Sequence, residues 1–120
     1  MIDMDPILAF SQRLAEEFHP RQIILFGSYA NGTAREDSDV DLLVIAPFQG
    51  NAFDRATEML RRVNAPFPID LLVRDPADTA RRYRQFDPLI RDALDRGKVL
   101  YDSCWEGFRE RLGGNARRDD

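Results

Sequence analysis

An α/β (α+β) fold, a small mixed sheet of roughly three to five strands flanked by helices, is predicted by three observations. Short apolar runs rich in β-branched residues alternate along the chain with stretches of helical periodicity. Asp-Pro pairs at Asp5-Pro6, Asp75-Pro76 and Asp87-Pro88 punctuate the sequence. Each can open a helix, because aspartate accepts orphan N–H groups and proline at the first helical position gives up no hydrogen bond. Finally, Val40-Asp41-Leu42-Leu43-Val44 is echoed by Ile69-Asp70-Leu71-Leu72-Val73, each segment placing an aspartate at the mouth of an apolar strand.

The elements follow in order. Ile7, Phe10, Leu14 and Phe18 recur at helical spacing and predict a helix over 6–18, stopped by Pro20. Gln22 to Phe26 is a short apolar run ending at Gly27, the pattern of a buried strand. Residues 29–38 are polar and turn-rich, with Gly32 and Ser38. Asp39 to Ala46 reads as a second strand. Phe53, Ala56, Leu60 and Val63 mark an amphipathic helix closed by Ala65-Pro66, and Ile69 to Val73 is a third strand. Helices are expected after Asp75 and Asp87, the second ended by Gly97 as a C-terminal cap, with Lys98 to Tyr101 as a fourth, edge strand.

The chain has 120 residues, 43% of them hydrophobic and 32% charged, a composition that folds rather than stays disordered. One domain over 1–112 is expected, with 113–120 as a flexible tail that has nothing to bury. The formal charge of −4 argues against sequence-independent nucleic-acid binding, which needs a basic surface. No apolar run reaches the roughly 20 residues of a membrane span. The N-terminus, Met-Ile-Asp-Met-Asp, is acidic rather than the basic start of a secretory signal. A single cysteine, Cys104, forms no internal disulfide and fits a reducing cytoplasm.

The chemistry concentrates in three aspartates. Asp39 and Asp41 lie one residue apart, so on a strand they share a face, about 6–7 Å apart along it. Two such carboxylates repel unless cations or protons intervene. Oxygen ligands suit a hard ion such as Mg²⁺, which takes one or two carboxylates plus substrate phosphates. Asp70, entering a similar strand, completes a three-carboxylate cluster if the two strands are neighbours, an arrangement suited to in-line attack on a phosphoryl group. A turn preceding the strand explains Asp39 without any function. It explains Asp41 badly, because a carboxylate inside the apolar run is costly without a partner. Gly27-Ser28, where the first strand ends, allows close backbone approach and offers a serine N–H and hydroxyl to phosphate at the start of a short helix.

The string from Gly27-Ser28 through Asp39-Val40-Asp41, with ten residues between Ser28 and Asp39, resembles the Gly-Ser-x10-Asp-x-Asp signature of minimal nucleotidyltransferases of the DNA polymerase beta superfamily. The likeness extends to Ile23–Phe26, Leu42–Ile45, Asp70 and the ending Gly97-Lys98-Val99-Leu100-Tyr101-Asp102, and so covers roughly residues 5–102. It implies the polymerase-beta-like fold. It also implies ATP as substrate, two Mg²⁺ ions held by Asp39, Asp41 and Asp70, and a nucleotide contacted by Gly27, Ser28, Ser38 and Arg35. Asp70 would also accept the proton of an attacking hydroxyl. One departure stands out: many relatives carry arginine at the position of Asn31, so that phosphate contact is absent here or falls to Arg35 or elsewhere.

Members that modify antibiotics or RNA carry a further acceptor-binding domain, whereas here 18 residues follow Asp102. The expected acceptor is therefore presented by another molecule. Minimal domains of this kind resemble antitoxins of HEPN–MNT pairs, which implies a HEPN-domain toxin as partner and AMP transfer to its tyrosine. Two alternatives remain open: neutralisation by binding alone, and transfer to a small molecule or RNA in a complex.

Other residues carry less. His19 reads as a helix-end histidine beside the C-terminal dipole rather than a catalyst. Arg81, Arg82 and Arg84 read as a solvated face. Trp105 and Phe108 at helical spacing fit packing onto the domain and docking to a partner equally well.

Overall fold

The computed structural model describes residues 2–104. The chain runs α1 (Met4–Phe18), β1 (Gln22–Phe26), α2 (Ser28–Asn31), β2 (Val40–Ile45), α3 (Ala52–Arg62), β3 (Ile69–Arg74), α4 (Pro76–Arg84), α5 (Pro88–Arg96) and β4 (Lys98–Asp102). The four strands form one mixed sheet in the order β3-β2-β1-β4. β1 pairs antiparallel with both β2 and β4, while β2 and β3 are parallel. That parallel pair needs a crossover, which α3 supplies.

Alternation along the strands sorts side chains onto two faces. Ile23 and Leu25 of β1, Val40, Leu42 and Val44 of β2, and Leu71 and Val73 of β3 face the larger core, against Ile7, Phe10 and Leu14 of α1 and Ala56 and Met59 of α3. Ile24, Phe26, Leu43 and Ile45 face the other way, against Ile90 and Ala93 of α5. The central strands are thus buried on both faces, which is why they read as continuous apolar runs. By the same parity Asp41 and Asp70 belong to the α5 side, at the N-terminal mouths of β2 and β3.

Two Asp-Pro pairs cap as expected. Asp75 accepts the N–H of Asp78 at 2.7 Å with Pro76 in the first turn, and Asp87 Oδ1 accepts those of Leu89 and Ile90 at 3.0 and 3.2 Å. Asp5-Pro6 does not: α1 starts earlier, at Met4 behind Asp3, leaving Asp5 in the first turn. Proline is tolerated there because the first N–H groups of a helix need no intrahelical acceptor, so it permits a helix start without fixing it. Helix α3 ends at Arg62, before Ala65-Pro66, and starts behind Asn51, whose side chain accepts the Asp54 N–H at 2.8 Å. Asp39 lies just ahead of β2 rather than inside it.

Gly97 ends α5, but in extended backbone (φ −74°) that any residue adopts. Its reason is space. A Cβ there would overlap the Ala93 carbonyl oxygen and stand 2.6 Å from Ile24 Cγ2 and 2.8 Å from the Leu25 carbonyl oxygen. β4 is an edge strand, as its sequence predicts. The expected tail at 113–120, and Trp105 and Phe108, lie outside the described residues.

Candidate active site

The echo between the two aspartate-bearing segments becomes a physical pairing. β2 and β3 run side by side in a register that matches Val40 with Ile69, Asp41 with Asp70, Leu42 with Leu71, Leu43 with Leu72 and Val44 with Val73. Adjacent strands lie about 4.8 Å apart, so the Asp41 and Asp70 carboxylates leave the same face of neighbouring backbones. Asp39 sits two residues before Asp41 and shares its parity.

Asp41 is half-buried, while Asp39 and Asp70 are exposed. Burial pushes the Asp41 carboxyl above its ordinary value, and the negative charges of Asp70 and then Asp39 push it further. Among the described residues, no arginine, lysine or hydrogen-bond donor engages any of the three. Half-burying a carboxylate beside two others without a counter-charge costs free energy, and a cation offsets that cost.

Gly27 forms the wall of this cluster. It ends β1 with φ 73° and ψ −151°, a backbone region essentially reserved for glycine. A Cβ there would overlap Asp41 Oδ2 and come within 3.1 Å of its Cγ. The turn therefore demands glycine, and a Cβ would in addition push the Asp41 carboxylate aside. In β1, Phe26 is the register partner of Asp41, which brings the Gly27-Ser28 turn beside the acids.

Ser28 opens α2, where the Ala30 and Asn31 N–H groups donate to the Gly27 carbonyl at 3.1 and 3.0 Å and those of Ser28 and Tyr29 precede the first intrahelical bond. Gly32 closes the helix in the left-handed region, and its N–H donates to the Ser28 carbonyl. Ser38 Oγ accepts the Arg35 N–H at 2.8 Å, and the Ser38 N–H donates to the Arg35 carbonyl at 3.0 Å. Ser38 thus braces the loop that leads into Asp39, and its hydroxyl hydrogen remains free to donate. Arg35 and Asn31 are both exposed on this segment.

The donor set fits a divalent cation: oxygen ligands only, on neighbouring positions, repelling one another and without a counter-ion among the described residues. Among the described residues no group of three His, Cys, Asp or Glu side chains forms a ready-made metal cage. Mg²⁺ seldom uses one, and is held by one or two carboxylates with the rest of its shell from phosphate and water. The other candidate residues lie elsewhere. His19 is the exposed C-cap of α1 at φ 50°, its N–H donating to the Ala15 carbonyl. Arg81 pairs with Asp78, and Arg82 with both Asp78 and Asp87.

Comparison with known proteins agrees with this geometry. The nucleotidyltransferase domain profile matches residues 7–100. The chain belongs to the nucleotidyltransferase domain family. This family uses nucleoside triphosphates with a divalent metal, as the donor set suggests. Over 99 residues the chain is 39% identical to a Methanocaldococcus jannaschii protein that bears the name of a protein adenylyltransferase, covering 75% of this chain and 65% of that protein. A second relative, the protein adenylyltransferase MntA of Thermococcus cleftensis, is 53% identical over 38 residues, 32% of this chain and 38% of that one. The chain thus spans less than two thirds of the length of either relative.

Among solved structures, a Sulfolobus solfataricus protein described as a nucleotidyltransferase aligns with TM-score 0.53 and 25% identity over 65% of this chain and 71% of that one. A chain from a toxin–antitoxin complex solved with AMP-PNP aligns with TM-score 0.50 and 19% identity over 92% of this chain and 96% of that one, a likeness of fold. Among the described residues no helix is long and apolar enough to cross a membrane.

Proposed function

We propose that this nucleotidyltransferase is a Mg²⁺-dependent protein adenylyltransferase that transfers AMP from ATP to a tyrosine hydroxyl of a HEPN-domain toxin, and so acts in the cytoplasm as that toxin's antitoxin. The observation that carries the reading is the in-register pair Asp41 and Asp70, unpartnered among the described residues, with Asp41 half-buried, Asp39 alongside and Gly27 keeping the wall open. Relatives named as protein adenylyltransferases support the reaction class, and a toxin–antitoxin chain of the same fold supports the setting. Residues 1–112 act as one minimal domain in this reading, with 113–120 as a tail.

The residues divide the work. Gly27 lets backbone approach the triphosphate, the Ser28 N–H and hydroxyl bind its oxygens, and Ser38 and Arg35 contact it from the loop. Asp39, Asp41 and Asp70 would hold two Mg²⁺ ions, which when bound neutralise phosphate charge and polarise the reacting oxygens. Asp70 accepts the tyrosine proton as the phenolic oxygen forms its bond to the α-phosphorus. The bond from the α-phosphorus to the oxygen bridging it to the β-phosphorus breaks, and pyrophosphate leaves with that electron pair.

Intact mass spectrometry of the HEPN-domain partner after incubation with this chain, ATP and Mg²⁺ tests the proposal. An increase of roughly 329 Da per AMP, absent with Asp39→Ala/Asp41→Ala, is expected. A partner of unchanged mass in a stable, neutralising complex would replace the reading with inhibition by binding. A mass increase on RNA or a small molecule would replace the acceptor.

A further inference from the structure

Among the described residues β3 lies at the edge of the sheet, paired on one side only, by β2. The Val40 N–H donates to the Pro68 carbonyl and the Ala46 N–H to the Arg74 carbonyl, so the even-numbered residues of β3 turn their backbone groups toward β2. Ile69, Leu71 and Val73 therefore turn theirs outward. At the far end the edge is closed by the chain itself, where Arg74 Nη1 donates to the Val73 carbonyl at 2.9 Å. The Arg74 Nε is buried without a hydrogen-bond partner, and no carboxylate among the described residues pairs with the guanidinium.

A groove of about 440 Å³ follows this edge from Asp70 to Arg74, walled by Phe53, Ala56, Thr57 and Leu60 of α3. Phe53 is 79% exposed. The groove thus begins at a candidate catalytic carboxylate, offers backbone donors and acceptors at Ile69 and Leu71 that no described residue pairs, has an apolar wall, and ends at a cation without a counter-ion among the described residues.

We infer that the open edge of β3 takes an extended segment of the acceptor protein as an added strand. This rests on the function proposed above and deepens it. An incoming residue directly opposite Asp70 puts its side chain on the same face as that carboxylate, with Cβ atoms about 5 Å apart. That is where an attacking hydroxyl belongs. Arg74 is four residues along the same strand and therefore on the same face, about 13 Å away. The segment consequently carries an acidic residue four positions from its hydroxyl residue, and main-chain pairing at Ile69 and Leu71 supplies affinity. A second copy of this chain paired antiparallel along this edge would set one copy's Arg74 on the other's Asp70 and so cover the carboxylate, which makes self-pairing a competitor of the acceptor and not a productive occupant.

Hydrogen exchange of the full chain, alone and with the HEPN-domain partner, reads the pairing directly. The Ile69 and Leu71 amides are expected to gain roughly tenfold or more protection in the complex, while Asp70 and Leu72, already bonded to β2, change little. Thr57→Arg, which fills the groove from an exposed helical position, is expected to raise KM for the partner roughly tenfold with binding of an ATP analogue unchanged. AMP transfer without protection at Ile69 and Leu71, and undiminished in Thr57→Arg, would overturn the added strand and leave the reaction standing. Protection that grows with the concentration of this chain alone would overturn it in favour of self-pairing. Absence of AMP transfer by the parent chain would overturn the reaction, and this inference with it.

Discussion

Two charged regions of this molecule are built on opposite principles. On the α4–α5 hairpin nearly every charge has a partner: Arg81 and Arg82 pair with Asp78, Arg82 also reaches Asp87, Tyr83 donates to Asp95 at 2.7 Å, and Arg91 stacks over Tyr83 and Phe86. At the mouths of β2 and β3, the negative charges of Asp70 and Asp39 act on Asp41, and no counter-charge pairs with any of the three among the described residues. The hairpin spends its charges on caps and local pairs that define its own shape. The acid cluster leaves its charges unpaired among the described residues, the arrangement that the proposed metal ions and nucleotide would complete.

The contrast is broken most strongly by removing acids. Asp70→Ala should lower AMP transfer by about 10²–10⁴-fold, as the loss of a general base does, with the circular dichroism spectrum and melting temperature close to those of the parent. A loss of folding instead would place Asp70 with the structural charges of the hairpin.

Gly27→Ala should be the next largest effect, and on both activity and stability. The new Cβ meets Asp41 and the backbone is held at φ 73°, so about 1–3 kcal/mol of stability is lost together with most of the transfer. Denaturant unfolding and the mass assay check the two parts.

Asp41→Asn sharpens the comparison because it should move stability and activity in opposite directions. Burial, Asp70 and Asp39 all hold the Asp41 carboxyl above its ordinary range, so the native state binds its proton more tightly than the unfolded chain does. Stability contributed by the protonated form is therefore lost as pH rises through the native value. The neutral amide removes that penalty, so without metal ions the variant should melt a few degrees higher at neutral pH and lose transfer. A lower melting temperature would show that the cluster contributes to the fold.

The smallest effect belongs to the hairpin. Asp87→Ala removes the N-cap of α5 and should cost about 1 kcal/mol with transfer unchanged. Its carboxyl is held below the ordinary range, first by the Ile90 N–H and then by the Arg82 side chain and the Leu89 N–H. The stability it contributes is therefore present above its unfolded value and lost as pH falls through the native one. Melting curves of parent and variant should converge in acid.

Much of this was legible in the sequence. Asp41 stood out because a carboxylate inside an apolar strand lacks a structural excuse, and the Val40–Val44 and Ile69–Val73 echo survives as residue-for-residue pairing. Asp75 and Asp87 announced their helices. What was hidden depends on tertiary neighbours. Pro6 could not say where α1 begins, while Asn51, a residue type favoured at N-caps, is a signal in the sequence for the start of α3. Gly97 caps α5 as its sequence predicts, but the reason it is glycine, that α5 and β1 leave no room for a Cβ, was hidden. That β3 is an edge strand among the described residues, and that Arg74 Nε there is buried without a hydrogen-bond partner, appear only once the strands are ordered.

Thermal unfolding with Mg²⁺ and a non-hydrolysable ATP analogue tests the central claim most directly, since a ligand bound only by the native state stabilises it by RT ln(1 + [L]/Kd). At about 100 times Kd the parent chain should gain about 2.7 kcal/mol, seen as a rise in melting temperature that needs both ligands. Asp39→Asn/Asp41→Asn should start higher and gain nothing. An equal rise in the parent and the double variant would contradict the claim that these carboxylates are left unpartnered to hold the metal and its nucleotide.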